Sequence, residues 1–331
     1  MSAVIKSSFK SAWWLKNAHL QTIYPFLFRK TALKSPLHRE RLITPDNDFI
    51  DIDWLGEAHQ PLIVLLHGLT GSSQSTYIRG LQEQFLLEGF RTVTLNFRGC
   101  SGELNHSARC YHSGETEDLD FLYQTIRARE PDTPIAMVGF SLGGNVLLKW
   151  LGESKGNVSV FAAVAVSVPL VLSICASALD KGFSKLYRYK LLDELKEYLS
   201  AKQRYLEQLG LTDEAIKIAE LGDVSYIKSF WQYDNQVVAR LHDFKDVHDY
   251  YQRSSSRQFL KSIKVPTLVI QALDDPFMTP DVLPTLDELS NSVQVEVTEG
   301  GGHVGFISGG TLYKPVYWLE QRIPEFIKAH V

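Results

Sequence analysis

Residues 135–148 read I-A-M-V-G-F-S-L-G-G-N-V-L-L, an apolar run that enters a G-x-S-x-G turn and leaves it as an apolar helical stretch. This is the pattern of a strand, a cramped turn and a helix, with Ser141 at the apex. A hydroxyl held on such an elbow projects clear of the sheet edge, at the N-terminus of the following helix. Gly139 and Gly143 are needed because side chains there would collide within the turn. The motif alone is weak, since G-x-S-x-G recurs by chance; the buried strand ending at Val138 and the helix through Asn145–Leu148 give it a context. Ser141 is therefore the candidate nucleophile. A Gly-rich strand-to-helix turn without chemistry is the alternative.

Strand-like and helical segments alternate on both sides of this elbow. Phe49–Trp54 alternates with period two, as a half-buried strand does. Leu62–Leu66 is a continuous apolar run that suits a fully covered parallel strand and ends in His67-Gly68. Helix-like Tyr77–Glu88, strand-like Thr92–Asn96, a helix opened by Ser113 with Glu115, Glu117 and Asp118 in its first turn, and strand-like Val160–Ser167 continue the series. The alternation predicts an α/β fold: a mainly parallel sheet with helices on both faces. It breaks at Pro169 and resumes near Pro266 and again at Val293–Val297. We therefore expect a single domain with a core of about 40–168 and 260–331. A helical cap at about 169–259 is inserted between two strands of one sheet, and an N-terminal strap covers 1–39.

The 331 residues can bury a large core, and 44% hydrophobic with 22% charged residues is ordinary for a soluble globular chain. A net charge of -4 leaves no basic excess for phosphates, so no nucleic-acid partner is expected. Cys100, Cys110 and Cys175 have no metal-ligand spacing and cannot all pair, which points to reduced thiols and a cytoplasmic setting. No apolar leader follows Lys6 and Lys10, and no run reaches bilayer-spanning length, so no signal peptide and no stable membrane anchor are expected. The aromatic stretch Phe9–Phe28 reads as a strap packed over the sheet or the cap, because Asn17, His19, Gln21 and Thr22 interrupt any apolar face. Dipping into a membrane surface is its alternative.

Serine is a poor nucleophile near neutral pH, so Ser141 needs a base, and the base needs an orienting acid. Functional groups in an open sheet gather beyond the carboxyl ends of its strands. Asp274-Asp275-Pro276-Phe277 follows one such strand, and Glu299-Gly-Gly-Gly-His303 follows the next. The chain order Ser, Asp, His is the one expected for a nucleophile elbow. His303 is the candidate base. The acid is Asp275 if Ala272 takes the place of the glycine often found after this strand, with Asp274 then capping the turn or binding backbone; Asp274 is the other choice. An oxyanion hole needs two backbone N–H donors. Leu142, after the nucleophile, is one candidate, and Leu69, in the loop His67-Gly68-Leu69-Thr70-Gly71, is the other. His67 is read as holding that loop through backbone hydrogen bonds.

H-G-L-T-G, N-F-R-G-C-S-G, G-F-S-L-G-G-N, D-D-P-F and G-G-H-V-G-F together resemble the alpha/beta-hydrolase superfamily. More narrowly they resemble its bacterial YheT-like subgroup, related to plant proteins and to eukaryotic membrane-anchored lipases. W-W-L-K-N-A-H-L-Q-T near the N-terminus extends the likeness over nearly the whole chain. The resemblance implies carboxylic-ester hydrolysis with Ser141 as nucleophile, His303 as base and an aspartate at 274 or 275. The anchor of the eukaryotic relatives is not expected here, which puts a phospholipid substrate in doubt.

The expected activity is a serine esterase acting on short- to medium-chain acyl esters through an acyl-enzyme. An acyltransferase would share every catalytic residue, and a non-catalytic binding module on the same fold is a third reading. The partner is a small-molecule acyl ester, with no metal or organic cofactor called for. Arg98 is read as pairing with an acidic residue. Cys100 has no base implied for it. His242, Asp243, Asp246, His248 and Asp249 fit no zinc spacing and read as a solvated polar face. Phe230, Trp231, Tyr233, Tyr250 and Tyr251 are packing, part of which lines an acyl pocket.

Overall fold

A computed structural model describes residues 3–29 and 35–331. Its first half runs β1 (Val4–Lys6), α1 (Ala18–Phe28), β2 (His38–Ile43), β3 (Phe49–Leu55), β4 (Leu62–Leu66), α2 (Thr76–Leu87), β5 (Arg91–Asn96), α3 (Glu117–Arg129), β6 (Ile135–Phe140), α4 (Leu142–Ser154) and β7 (Ala162–Val166). Helices fill the next stretch: α5 (Leu172–Leu179), α6 (Ser184–Gln208), α7 (Thr212–Ala219), α8 (Phe230–Tyr233), a π-helical turn at Asp234–Val238, α9 (Ala239–Leu241) and α10 (Val247–Ser254). The chain then re-enters the sheet as β8 (Thr267–Ala272) and β9 (Val293–Thr298). It closes with the hairpin β10 (Ile307–Thr311) and β11 (Lys314–Tyr317) and with α11 (Leu319–Lys328).

Nine strands form one sheet in the order β1-β9-β8-β7-β6-β4-β5-β3-β2. β3 runs antiparallel to β5 and β2, and every other pairing is parallel. The central strands are buried along their whole length because helices cover both faces, which is why β4 reads L-I-V-L-L. Two separate apolar cores result, one on each face, and a third lies among the helices between β7 and β8.

Three local expectations need correction. β3 is not half-buried: its acidic positions are covered too. Asp51 and Asp53 are each 2% exposed, held by Arg41 and Arg39 of β2 at 2.8 Å. Alternating apolar and acidic residues thus mark a strand buried on both faces, with ion pairs satisfying one of them. Second, Ser113 does not open α3, which starts at Glu117. Ser113 and Gly114 are pinned under the neighbouring elements, since the Ser113 carbonyl accepts Asn145 Nδ2 at 2.7 Å, and a Cβ on Gly114 would lie 2.2 Å from Ser254 Oγ. Third, the N-terminal strap contributes a strand, with β1 pairing in parallel with β9 at the sheet edge.

Among the described residues, no helix is long and apolar enough to cross a membrane.

Candidate active site

β4 and β6 are direct neighbours, so the loops at their carboxyl ends lie side by side. The elbow after β6 is strained, with Ser141 at φ 50° and ψ -118°. Its glycines are required by contact: a Cβ on Gly143 would sit 2.4 Å from the His67 carbonyl oxygen, and one on Gly139 would sit 2.5 Å from that of Gly143. Backbone of the β4 loop therefore packs directly onto the start of α4. Asn145, fully buried, fixes that helix by donating to the Ser113 and Ser254 carbonyls and accepting from Ser256 N–H.

The loops after β8 and β9 bring two more groups to Ser141. His303 Nε2 lies 3.0 Å from Ser141 Oγ, and His303 Nδ1 lies 2.8 Å from Asp275 Oδ2. Asp275 is 3% exposed, and its second oxygen accepts the Phe277 N–H at 2.8 Å. Asp274 points elsewhere: its Oδ1 accepts the Gly302 N–H at 2.9 Å, bracing the histidine loop. Burial pushes the Asp274 carboxyl up from its ordinary value, the Asp275 charge adds to this, and the Gly302 hydrogen bond offsets part of it. Such an arrangement lets Ser141 pass its proton to His303 while Asp275 fixes the tautomer with hydrogen on Nδ1.

In the β4 loop, Gly68 N–H donates to Tyr77 Oη at 2.8 Å and Thr70 N–H donates to Tyr111 Oη at 2.9 Å. Leu69 N–H, between them, has no partner among the described residues. Leu142 N–H opens α4, where the first turn of a helix leaves its donors free. His67 bonds the backbone on both sides, with Nδ1 2.7 Å from the Gly68 carbonyl and Nε2 accepting Phe97 N–H at 3.1 Å. Burial lowers its pKa to about 4, so it is neutral and serves the loop.

Several supporting groups carry no sequence signal of their own. The Thr22 hydroxyl of α1 accepts His303 N–H at 2.9 Å and donates to the Ala18 carbonyl. Buried Gln21 donates to the Leu15 and Ile307 carbonyls and accepts Ile307 N–H. The N-terminal segment thus clamps the histidine loop. Both residues close the stretch W-W-L-K-N-A-H-L-Q-T, the one signal that could have marked them. Ser167 Oγ accepts Val304 N–H at 3.0 Å from the other side.

A cavity of about 740 Å³ opens at Ser141 and His303. Leu172, Ala176 and Phe230 from the helical insertion and Phe26 and Leu27 from α1 give it a mostly apolar wall. Of the aromatic residues considered from sequence, Phe230 and Tyr251 reach this wall, whereas Tyr233 and Tyr250 are buried among the helices. Trp231 meets the Tyr251 ring edge-to-face and the His248 ring at a tilt.

The remaining candidates are engaged elsewhere. Arg98 is 3% exposed and bonds both oxygens of Asp118, both of Asp46 and one of Asp48. Burial raises the Cys100 thiol to about 12, so it stays protonated. The polar run at 242–249 does not converge: Asp246 caps α10, accepting His248 and Asp249 N–H. His242 instead meets His112 and Glu115, with ligand atoms within 4.8 Å of one another. Glu115 there is held by Arg109 at 2.7 Å, and His112 Nδ1 accepts Gly114 N–H, so these donors already have partners.

Residues 61–310 match the alpha/beta hydrolase fold family. The chain belongs to that family. Over 319 residues it is 41% identical to the protein named Putative esterase YheT of Escherichia coli (strain K12), covering 95% of this chain and 91% of the relative. It is 27% identical to the phospholipase ABHD3 of Homo sapiens over 99% of this chain and 80% of that one. Among solved structures, the Pyrococcus furiosus esterase Pf2001 superposes with a TM-score of 0.55 at 19% identity, over 91% of this chain and 98% of that one, a likeness of fold. This chain is thus an alpha/beta hydrolase.

Proposed function

We propose that this hydrolase cleaves carboxylic esters, of short- to medium-chain acyl groups, through an acyl-enzyme on Ser141. The observation that carries the reading is the unbroken relay from Ser141 Oγ through His303 to Asp275, at 3.0 and 2.8 Å, opening into an apolar cavity. The similarity to an esterase-named relative over nearly the full length supports it.

In this reading Ser141 Oγ attacks the ester carbonyl carbon as its proton passes to His303 Nε2. Negative charge gathers on the carbonyl oxygen, where the N–H groups of Leu69 and Leu142 receive it; each such donor contributes on the order of 3 kcal/mol. The carbon–oxygen bond to the alcohol then breaks, and the alcohol leaves with the proton from His303. Water repeats the sequence in reverse: it gives a proton to His303, attacks the acyl carbon, and frees the acid and Ser141 Oγ–H. Asp275 stays ionised throughout and balances the imidazolium. The helical insertion acts as a cap that gives the acyl chain its apolar wall.

Hydrolysis of p-nitrophenyl esters with two to sixteen carbons, wild type beside Ser141→Ala, tests this. Turnover that vanishes in the variant is expected, and the length optimum reports the size of the pocket. Equal rates in both proteins would remove Ser141 from the mechanism.

A further inference from the structure

The same cavity wall carries a carboxyl group for which ester hydrolysis has no use. Asp234 opens the π-helical turn that interrupts the helix from Phe230 to Leu241, and it lines the cavity together with Phe230 and Tyr251. One of its oxygens, Oδ2, accepts the Tyr251 hydroxyl at 2.7 Å. Among the described residues no donor reaches the other oxygen, Oδ1. That oxygen is not a sealed, orphaned atom, and Asp234 keeps part of its surface accessible although protein surrounds the side chain. A group enclosed by protein yet touching open space faces a cavity.

The wall of this cavity is otherwise mostly aliphatic and aromatic, with Leu172, Ala176 and Phe230 among its residues. A carboxyl oxygen open to such a cavity favours an occupant that supplies a hydrogen-bond partner. A purely structural contact with Tyr251 would need only a hydroxyl or an amide at this position. An ionisable group with one oxygen free, on the wall of a substrate cavity, is suited to a ligand that brings a hydrogen-bond donor on an otherwise apolar body.

We propose that Asp234 is a specificity-determining residue whose carboxyl binds a hydroxyl group carried on the substrate's aliphatic chain, away from the ester. The inference rests on the ester-hydrolysis reading and narrows it to hydroxylated aliphatic esters. A hydroxyl suits the site better than an ammonium group. Burial raises the Asp234 carboxyl to about 7, so both protonation states are present near neutrality. A hydroxyl can donate to the ionised form and accept from the neutral one, whereas an ammonium group has no lone pair to accept from the neutral carboxyl and must shed a tightly held hydration shell.

The hydroxyl can belong to either side of the ester, and two series of compounds separate the cases. One compares p-nitrophenyl esters of terminally hydroxylated acids with those of plain acids, from four to twelve carbons. The other compares acetate monoesters of terminal diols with acetates of plain alcohols over the same lengths. The readout is the ratio of kcat/KM for hydroxylated over plain substrate within each protein, so any general loss in a variant cancels.

Wild type is expected to show a ratio of about tenfold at one favoured length in one of the two series, carried by KM, as fits a single well-placed hydrogen bond. The ratio should fall to about one in Asp234→Leu and in Asp234→Ala; the second variant covers a failure of the first to fold. A ratio near one at every length in both wild-type series would overturn the proposal, as would a preference that survives both substitutions. Calorimetric binding of terminal diols of four to twelve carbons, each against the plain alcohol of its length, to wild type and Asp234→Ala decides the matter without turnover. Tighter diol binding that the substitution removes supports the anchor, and equal binding overturns it. Turnover of plain esters without hydroxyl preference sinks the anchor alone. Diol selectivity in a protein that hydrolyses no ester sinks the ester reading alone.

Discussion

The ring of Phe277 lies flat on the imidazole of His303, with centroids 4.0 Å apart and planes 4° from parallel. Phe277 N–H also bonds Asp275, so one residue touches both partners of the relay. Tyr187 of α6 packs behind it at 5.0 Å, and Ser184 of the same helix donates to the Pro276 carbonyl. The helical insertion therefore bears directly on the loop that orients His303. Aromatic stacking of this kind is worth about 0.5–1.5 kcal/mol beyond burial. Phe277→Leu should lower kcat by roughly three- to tenfold with KM for a short ester little changed. A kcat identical to wild type would remove Phe277 as a positioning residue.

The two neighbouring aspartates are predicted to separate cleanly. Asp275→Asn removes the acceptor on His303 Nδ1 and should reduce kcat by ~10^4-fold, whereas Asp274→Asn disturbs backbone contacts such as that with Gly302 and should cost about tenfold or less. Steady-state kinetics on one ester, with melting temperatures for both variants, reads this directly. The reverse order would exchange their roles.

Thr22 and Gln21 predict that the N-terminal segment affects chemistry as well as stability. Thr22→Val removes the acceptor for His303 N–H and should lower kcat several-fold, since a typical hydrogen bond contributes about 1 kcal/mol. Gln21→Leu strands two buried carbonyls and one N–H, so unfolding in urea should show a loss of about 2–4 kcal/mol. A Gln21→Leu protein with an unchanged denaturation midpoint would contradict the clamp.

His67 makes a pH prediction. Its folded pKa is depressed to about 4 against an ordinary 6.5, so between those values the unfolded chain binds the extra proton. Stability from this group is complete above pH 6.5 and is lost as pH falls towards 4, by about 3 kcal/mol in all. His67→Gln retains a donor and an acceptor without titrating. Urea denaturation at pH 7 and pH 4.5 should show a smaller acid-induced loss in the variant, and equal losses would exclude His67 as a source.

Much of the site could be read along the chain because its geometry is local. The elbow at Ser141 needs only a strand, two close glycines and a helix, all contiguous, and a buried parallel strand such as β4 announces itself by continuous apolar residues. Asp275 and His303 were legible because strand ends deliver their loops to one edge of a parallel sheet. The sequence left Asp274 and Asp275 open, since two adjacent residues differ only in direction; their side chains leave the turn towards Gly302 and His303 respectively. Tertiary structure alone decided the burial of Asp51 and Asp53, the clamp of Thr22 on a loop 281 residues away, the stacking of Phe277 and the placement of Asp234 in the cavity wall. Each depends on contacts between segments far apart in sequence. Periodicity reports which face of an element is apolar; packing determines what that face meets.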